Sequence, residues 1–388
     1  MSYKINSLEF QLALSCSALD KNISLILNDL QNSATWNESR FFSFLERHRI
    51  VELASRILVD EFFFSEEFKL KLKSIEKNNQ LRAIHSQFIQ NQLQSYLTLN
   101  RIDSIFLKGT PIAYLYYGDI GKRNIFDIDV WVGVENLEKV TAFLNSIGYY
   151  KWNDQFSFNS IQLQYLKLSS HHEIFYCREN TQMPIIELHW KIRNGLGNFM
   201  FNPASEKQKL IDVEIGGSTF SVFNHIDQFI FLSVHGAEHG WFRLKWLADL
   251  FHIVKTIHLD WSAVISRAKE LRSIKEIKIA FYFLQKYYKI NMYGPYQLLK
   301  LNFFDRLRIQ YIESFMVYEN EYCDTRVEKI KNGIYLLSLN RLGYISKELL
   351  LKNLTRPSDW LLLNLPSYLF FLYFPLRPFL WVYRKFKY

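Results

Sequence analysis

Cysteine is almost missing from this chain. The three present, Cys16, Cys177 and Cys323, lie far apart and show no CxxC or CxxH spacing. Neither a disulfide framework nor a cysteine zinc site is expected, and a reducing cytoplasm is the natural compartment. Glycine and proline are also scarce, 14 and 8 in 388 residues, which argues against a loop-rich or low-complexity protein. The N-terminus has no long apolar run after a basic start, so no signal peptide is expected. No block of basic residues resembles a nucleic-acid-binding arm, and nucleic acid is not a favoured partner. No internal repeat of fixed period is found.

What is there is apolar, aromatic and mildly basic. Hydrophobic residues make up 49% of the chain, enough to bury a substantial core. Aromatics reach 17%, mostly Phe and Tyr, and are assigned to packing before any ligand. The net charge of +9 favours an anionic partner, whether nucleotide phosphate, nucleic acid or anionic lipid, or is simply a solvated basic surface. The length suits two or three domains.

The pattern along the chain divides it into four regions. Residues 1–100 read as an N-terminal helical region, with apolar residues at helical spacing over 38–59 and again over 68–100. Ser104-Ile105-Phe106-Leu107 then reads as a buried strand that stops at Lys108-Gly109. Thr110 is the expected N-cap of the next helix, with Pro111 at its first position and Gly118 at its end. Asp127–Val132 alternates as a second strand, 135–147 is an amphipathic helix, and 172–177 and 185–190 are further strands. The expected fold class is α+β, with residues 101–202 as the catalytic domain. From about residue 203 the pattern is mainly helical, clearest over 225–232, 246–257, 261–271 and 275–288 and continuing to about 351, which makes 203–355 a C-terminal helical domain. Residues 356–388 form an apolar and basic tail.

The chemistry gathers in the middle. Asp127 and Asp129 alternate on one strand, so both side chains leave the same face while Ile128 and Val130 enter the core. Two carboxylates side by side repel unless a cation sits between them, and Mg²⁺ prefers such oxygen ligands. Glu187, an acid between apolar residues on a later strand, is the candidate third ligand. An isolated DxD proves little, but the context adds to it. Gly109 permits close backbone approach to phosphate, the helix after it offers free N–H groups, and Lys108 and Arg123 add positive charge. Together these suit phosphoryl chemistry.

These residues carry a resemblance. Phe106-Leu107-Lys108-Gly109-Thr110, Gly121-Lys122-Arg123, Asp127-Ile128-Asp129-Val130-Trp131-Val132 and Ile186-Glu187-Leu188-His189-Trp190 resemble the uncharacterised bacterial nucleotidyltransferases of the polymerase-β-like superfamily. The likeness covers most of the chain, including the lead-in at His48-Arg49-Ile50, the His235–Asp249 stretch and the tail. It implies a small mixed sheet flanked by helices, Asp127, Asp129 and Glu187 as metal ligands, and a nucleotide-contacting turn at Lys108-Gly109-Thr110. The turn is Gly109-Thr110 where the superfamily usually has Gly-Gly or Gly-Ser, and the third carboxylate is Glu rather than Asp. The expected reaction moves a nucleoside monophosphate from an NTP to a hydroxyl or phosphate acceptor, with two Mg²⁺ (or Mn²⁺) ions and with Lys108, Thr110 and Arg123 steadying the phosphates. Two alternatives stay open: a nucleotide-binding scaffold of a cell-surface polysaccharide pathway, and a kinase-like phosphoryl transferase on the same site.

A second constellation runs from His235 to Asp249. His235 and His239 share a helix face, and HxxEH matches an inverted zincin by letters, but no third ligand is evident. One interpretation is a helical lid in which His239, Arg243 and Lys245 meet triphosphate or acceptor. The other is a helix pair packed through Trp241 and Trp246, with His239 and Asp249 satisfying polar contacts. His171-His172-Glu173 opens a strand that borders the site and is not expected to bind metal. The apolar stretch 360–376 is interrupted by Pro366 and Pro375 and is too short to span a bilayer. It either folds back on the protein or rests on the cytoplasmic membrane face, which would suit a lipid-linked acceptor; the acceptor itself is expected to be a small molecule, a glycan, a lipid-linked compound or a protein.

Overall fold

A computed structural model describes residues 7–151, 158–180, 182–192, 199, 201–291, 300–317, 333–335, 338–339, 351 and 353–387. Four helices come first: α1 (Leu8–Ser17), α2 (Ser24–Gln31), α3 (Glu38–His48) and α4 (Val51–Leu58). The long α5 (Glu66–Leu99) leads into β1 (Ser104–Phe106), α6 (Thr110–Tyr117), β2 (Asp127–Val132), α7 (Leu137–Ser146) and β3 (Tyr149–Lys151). Then follow α8 (Ser160–Ser169), β4 (His172–Cys177), β5 (Ile185–His189) and the single turn α9 (Pro203–Glu206). A hairpin of β6 (Leu210–Ile215) and β7 (Ser218–Phe223) precedes α10 (His225–Glu238), α11 (Leu244–Thr256), α12 (Trp261–Glu270), α13 (Ile274–Tyr288) and α14 (Phe303–Met316). The tail adds helices Pro357–Leu362 and Tyr373–Lys387. The protein is thus α+β.

Side-chain caps set many of the helix starts. Ser7, Asn37, Ser65 and Asn224 each accept a backbone N–H from the first turn that follows. The 38–59 stretch is not one helix: Arg49 turns left-handed at φ 54° and splits it into α3 and α4. The α6 start is also shifted by one residue. Gly109, not Thr110, is the cap, at φ 90°. A Cβ there would sit 2.7 Å from Gln90 Nε2, so glycine is required on both counts.

The five-stranded sheet has the order β1-β2-β5-β4-β3, and only the β2–β5 pair is parallel. One face buries Ile128, Val130, Ile186, Leu188 and Phe175 against Leu93 and Leu97 of α5 and against Phe220 and Val222 of the hairpin. The other face carries Asp127, Asp129, Glu187 and His189. The hairpin lies in a region expected to be helical. Its two β-branched runs flank Gly216 and Gly217, both at positive φ, so a tight turn returns the chain onto the sheet.

A larger core joins the N-terminal helices to α10–α14. Phe10, Phe41, Phe44 and Leu45 belong to the same cluster as Phe229, Leu247, Phe281 and Ile312. Polar contacts fix this union. His48 Nδ1 accepts the Leu244 amide at 2.9 Å, and Arg47 donates to the Phe315 carbonyl at 2.7 Å. The helical expectation for 318–351 falls largely outside the described residues, as does Cys323.

The first part of the tail folds back on the protein. Trp360, Phe370 and Tyr373 are buried against Tyr165 of α8 and Phe158. Asp359, fully buried, accepts Arg377 at 2.9 Å and Arg384 at 2.5 Å. Past that clamp Phe379, Trp381, Tyr383 and Phe386 are exposed. No helix among the described residues is long and apolar enough to cross a membrane. Trp360→Ala should lose about 3–5 kcal/mol, the usual cost of emptying a buried Trp site. Chemical denaturation checks this, and an unchanged midpoint would show that the tail is not part of the core.

Candidate active site

β2 and β5 run side by side with Asp129 opposite Glu187 and Trp131 opposite His189. Glu187 and His189 are alternate residues on β5, so they share the face used by Asp127 and Asp129. Asp129 is 1% exposed and lies at the centre of the cluster. Its Oδ1 accepts Lys108 Nζ at 3.0 Å and His189 Nε2 at 3.3 Å. The same His189 nitrogen is 3.4 Å from Glu187 Oε2. Asp129 Oδ2 is buried with no hydrogen-bond partner among the described residues.

The charges follow from this packing. Burial pushes the Asp129 carboxyl up, but Lys108 and then the His189 hydrogen bond outweigh it and hold it well below its usual range. Glu187 is raised, first by burial and then by the Asp129 charge. Burial opposes a charge on His189, yet its hydrogen bonds to Asp129 and Glu187 leave its pKa raised. Burial likewise works against the Lys108 ammonium, and the three carboxylates raise it overall, Asp129 most and then Asp127 and Glu187.

Asp129, Glu187 and His189 each offer a ligand atom within 4.8 Å of the other two. With the orphaned Asp129 Oδ2, this oxygen-rich set suits a hard divalent cation. Asp127 lines the same cavity but is not among the described groups of that closeness. His189 is the ligand candidate that sequence reasoning passed over. Its signal was present, since it stands two residues beyond Glu187, the spacing that pairs Asp127 with Asp129.

The cavity measures about 440 Å³, and its carboxylate wall faces a cationic one. Arg49, Lys108, Arg123, Arg243 and Lys245 all line it. Gly109 and Thr110 are not in its wall. The Thr110 hydroxyl, fully buried, donates to Gln90 Oε1 instead. Arg123 is held from behind: Nε and Nη2 donate to the two Asp249 oxygens at 2.8 and 3.0 Å, and Tyr117 donates to the same carboxylate at 2.8 Å. Burial works to raise Asp249, and Arg123 overrides it and lowers its pKa. Lys245 is pulled down to about 7, first by burial and then by Arg123.

The α10–α11 junction brings His239, Arg243 and Lys245 to the cavity. Trp241, buried at φ 51°, lies so close to Gly236 that a Cβ there would be 2.4 Å from the indole. The ring of His239 stacks on Trp246 at 4.9 Å, and its centroid is 4.6 Å from that of His235. The packed helix pair and the lined cavity are therefore one arrangement rather than rival ones.

A parallel strand pair holding facing acids and a wall of cations thus meet in one cavity of an α+β fold. Residues 34–289 match the model of the uncharacterised nucleotidyltransferase family, and the chain belongs to that family. It is thereby an enzyme with nucleotidyltransferase activity in the general sense. No curated protein and no solved structure matches it.

Asp249→Asn should cost about 3–5 kcal/mol, because it leaves the Arg123 guanidinium buried without its counter-charge. Urea unfolding tests this, and a loss below about 1 kcal/mol would show that Arg123 finds other partners.

Proposed function

We propose that the protein transfers a nucleoside monophosphate from an NTP to a hydroxyl or phosphate acceptor and releases pyrophosphate. The observation that carries this reading is the orphaned Asp129 Oδ2, beside Glu187 and opposite a wall of cations. Asp127, Asp129 and Glu187 would hold the metal, with His189 Nε2 against the last two to orient them. Mg²⁺ or Mn²⁺, as two ions when bound, supplies charge neutralisation to the triphosphate and acidity to the acceptor. Arg49, Arg243 and Lys245 take the phosphate oxygens. Arg123 adds charge through the position that Asp249 fixes. Lys108, now paired with Asp129, is the cation nearest the ligands and turns to phosphate when the carboxylate is otherwise neutralised. The acceptor oxygen replaces pyrophosphate on the α-phosphorus, and its proton passes to a nearby carboxylate or to water. His239 stands at the rim, where the acceptor enters.

The division into regions has a functional counterpart in this scheme. Residues 101–202 supply the carboxylates with Lys108 and Arg123, 203–355 add Arg243 and Lys245, and 1–100 add Arg49. The exposed aromatics and flanking basic residues of the tail suit peripheral contact with an anionic membrane face, which would bring a lipid-linked acceptor to the cavity.

Asp127→Asn should lower turnover by about a thousandfold at unchanged melting temperature, since several kcal/mol of transition-state stabilisation depend on the metal ligands. Asp129→Asn should lose turnover and stability together, because it also strands the buried Lys108. Label transfer from NTP by mass spectrometry, with pyrophosphate assay, reads the first effect. ADP as product would make the enzyme a kinase, and no product at all would leave a binding scaffold.

A second outcome concerns Lys245. Its low pKa leaves the ammonium mostly uncharged at about pH 8 in the free protein, and a bound triphosphate restores the proton. Nucleotide binding should then take up a proton there and weaken as pH rises from about 7. Calorimetry in buffers of different ionisation enthalpy measures the uptake, and none at that pH would remove Lys245 from the phosphate wall.

A further inference from the structure

Three histidines meet at the edge of the carboxylate cluster. His172, the first residue of β4, pairs across the sheet with His189 of β5, and His171 immediately precedes it. Ring centroids are 4.2 Å apart for His171 and His172, 5.0 Å for His172 and His189, and 5.6 Å for His171 and His189. Each residue offers a nitrogen within 4.8 Å of the other two. The backbone fixes this grouping, since the Trp190 amide donates to the His171 carbonyl at 3.0 Å and the Ser170 hydroxyl donates to the His172 carbonyl at 2.9 Å.

His189 gives the group its polarity. Its Nε2 faces two carboxylates, at 3.3 Å from Asp129 Oδ1 and 3.4 Å from Glu187 Oε2. Its Nδ1 is buried with no hydrogen-bond partner among the described residues, in a residue only 5% exposed. An imidazole that donates one N–H to a carboxylate and keeps the other nitrogen bare is the arrangement found at metal-bound histidines. The ligands here are three nitrogens, whereas the neighbouring group offers two carboxylates. The two positions therefore favour different ions: hard, oxygen-seeking Mg²⁺ at the carboxylates, and a borderline transition-metal ion at the imidazoles.

We propose that His171, His172 and His189 form a second, imidazole-only metal position for an ion of the Zn²⁺ class, sharing His189's carboxylate partners with the first. Three protein ligands leave the fourth tetrahedral position open. It faces the cavity, which all three histidines line. The ion's fourth ligand is water or an oxygen of the acceptor. Nitrogens bound at about 2.0–2.1 Å stand about 3.3 Å apart around a tetrahedral ion. The present 2.8 Å contact between His172 Nδ1 and His171 Nε2 opens by only half an ångström or so to admit one. His172 also lines a separate, mostly apolar groove of about 330 Å³ that continues past Trp190 to Pro357 of the tail. The ion would therefore lie where that groove joins the catalytic cavity, a suitable place to hold the polar end of an acceptor with an apolar body.

The test uses the full-length protein, stripped of metal, and reads binding without substrate. Co²⁺ is the probe, because its visible absorption reports nitrogen ligands in tetrahedral geometry, and Zn²⁺ competition follows in excess Mg²⁺. One Co²⁺ per chain with a tetrahedral spectrum, displaced by Zn²⁺ but not by Mg²⁺, is expected. His171→Gln and His172→Ala should each weaken uptake by at least tenfold at unchanged melting temperature, while Asp127→Asn leaves it in place. A wild-type protein that takes up no Co²⁺ overturns the proposal whatever the variants do. So does uptake that survives both histidine changes, because the ion then belongs to the carboxylate group. Neither result bears on pyrophosphate release, so the nucleotidyl reading stands or falls separately.

Discussion

A buried carboxylate governs the centre of this protein. Asp129 is almost without solvent, and its charge survives there only because Lys108 and His189 both point at it. Each of those two is in turn placed by backbone. Lys108 sits at the end of β1, where the Leu107 amide donates to the Asp129 carbonyl at 3.0 Å. His189 is fixed by the parallel register of β2 and β5. A carboxylate held this way gives one oxygen to Lys108 and His189 and leaves the other, Oδ2, without a hydrogen-bond partner among the described residues. The desolvation that makes Asp129 costly is also what makes a cation beside it strongly bound.

The rest of the architecture supplies charge of the opposite sign at the right height. The sheet alone provides acids and imidazoles. Most of the cations come from elsewhere: Arg49 from the α3–α4 break, and Arg243 and Lys245 from the start of α11. His48 ties these two sources together through the Leu244 amide. Burial, then the charge of Arg47, keep its ring far below the usual histidine range, so it stays neutral and able to accept that bond. Arg49 was not singled out for the site because nothing in its neighbourhood of the sequence marks a left-handed break.

Much of the sheet was legible because alternation is a strong local signal. Asp127-Ile128-Asp129-Val130 divides into a wet face and a core face by residue type alone, and the structure places Ile128 and Val130 in the core. The helix periods of α5 and α10–α13 were similarly clear, though α10 extends six residues past the stretch first recognised, to Glu238. The hairpin at 210–223 was lost because its strands lie at the head of a run of helical segments, although Gly216-Gly217 was the turn signal. Contacts between distant segments were not legible. The Arg123–Asp249 pair spans 126 residues, and no spacing rule reaches that far. The same holds for His189, whose neighbours become visible only once β4 is laid against β5.

The core that joins α1 to α13 has a consequence in time rather than space. The Ser17 hydroxyl bonds Tyr288 at 2.7 Å across 271 residues, and Phe10 packs edge-on to Tyr287. During synthesis at about 5–20 residues per second, the first helices emerge roughly 15–50 s before the strand of chain that completes their core. Over that interval Phe10, Phe41 and Phe44 have no final partners, and the nascent chain presents an aromatic surface to whatever surrounds it. The hairpin-and-sheet core, assembled from residues 89–222, spans about half that length of chain, so its wait is about half as long. Asp127, Asp129 and Glu187 therefore leave the ribosome before Arg243 and Lys245 at the start of α11 do.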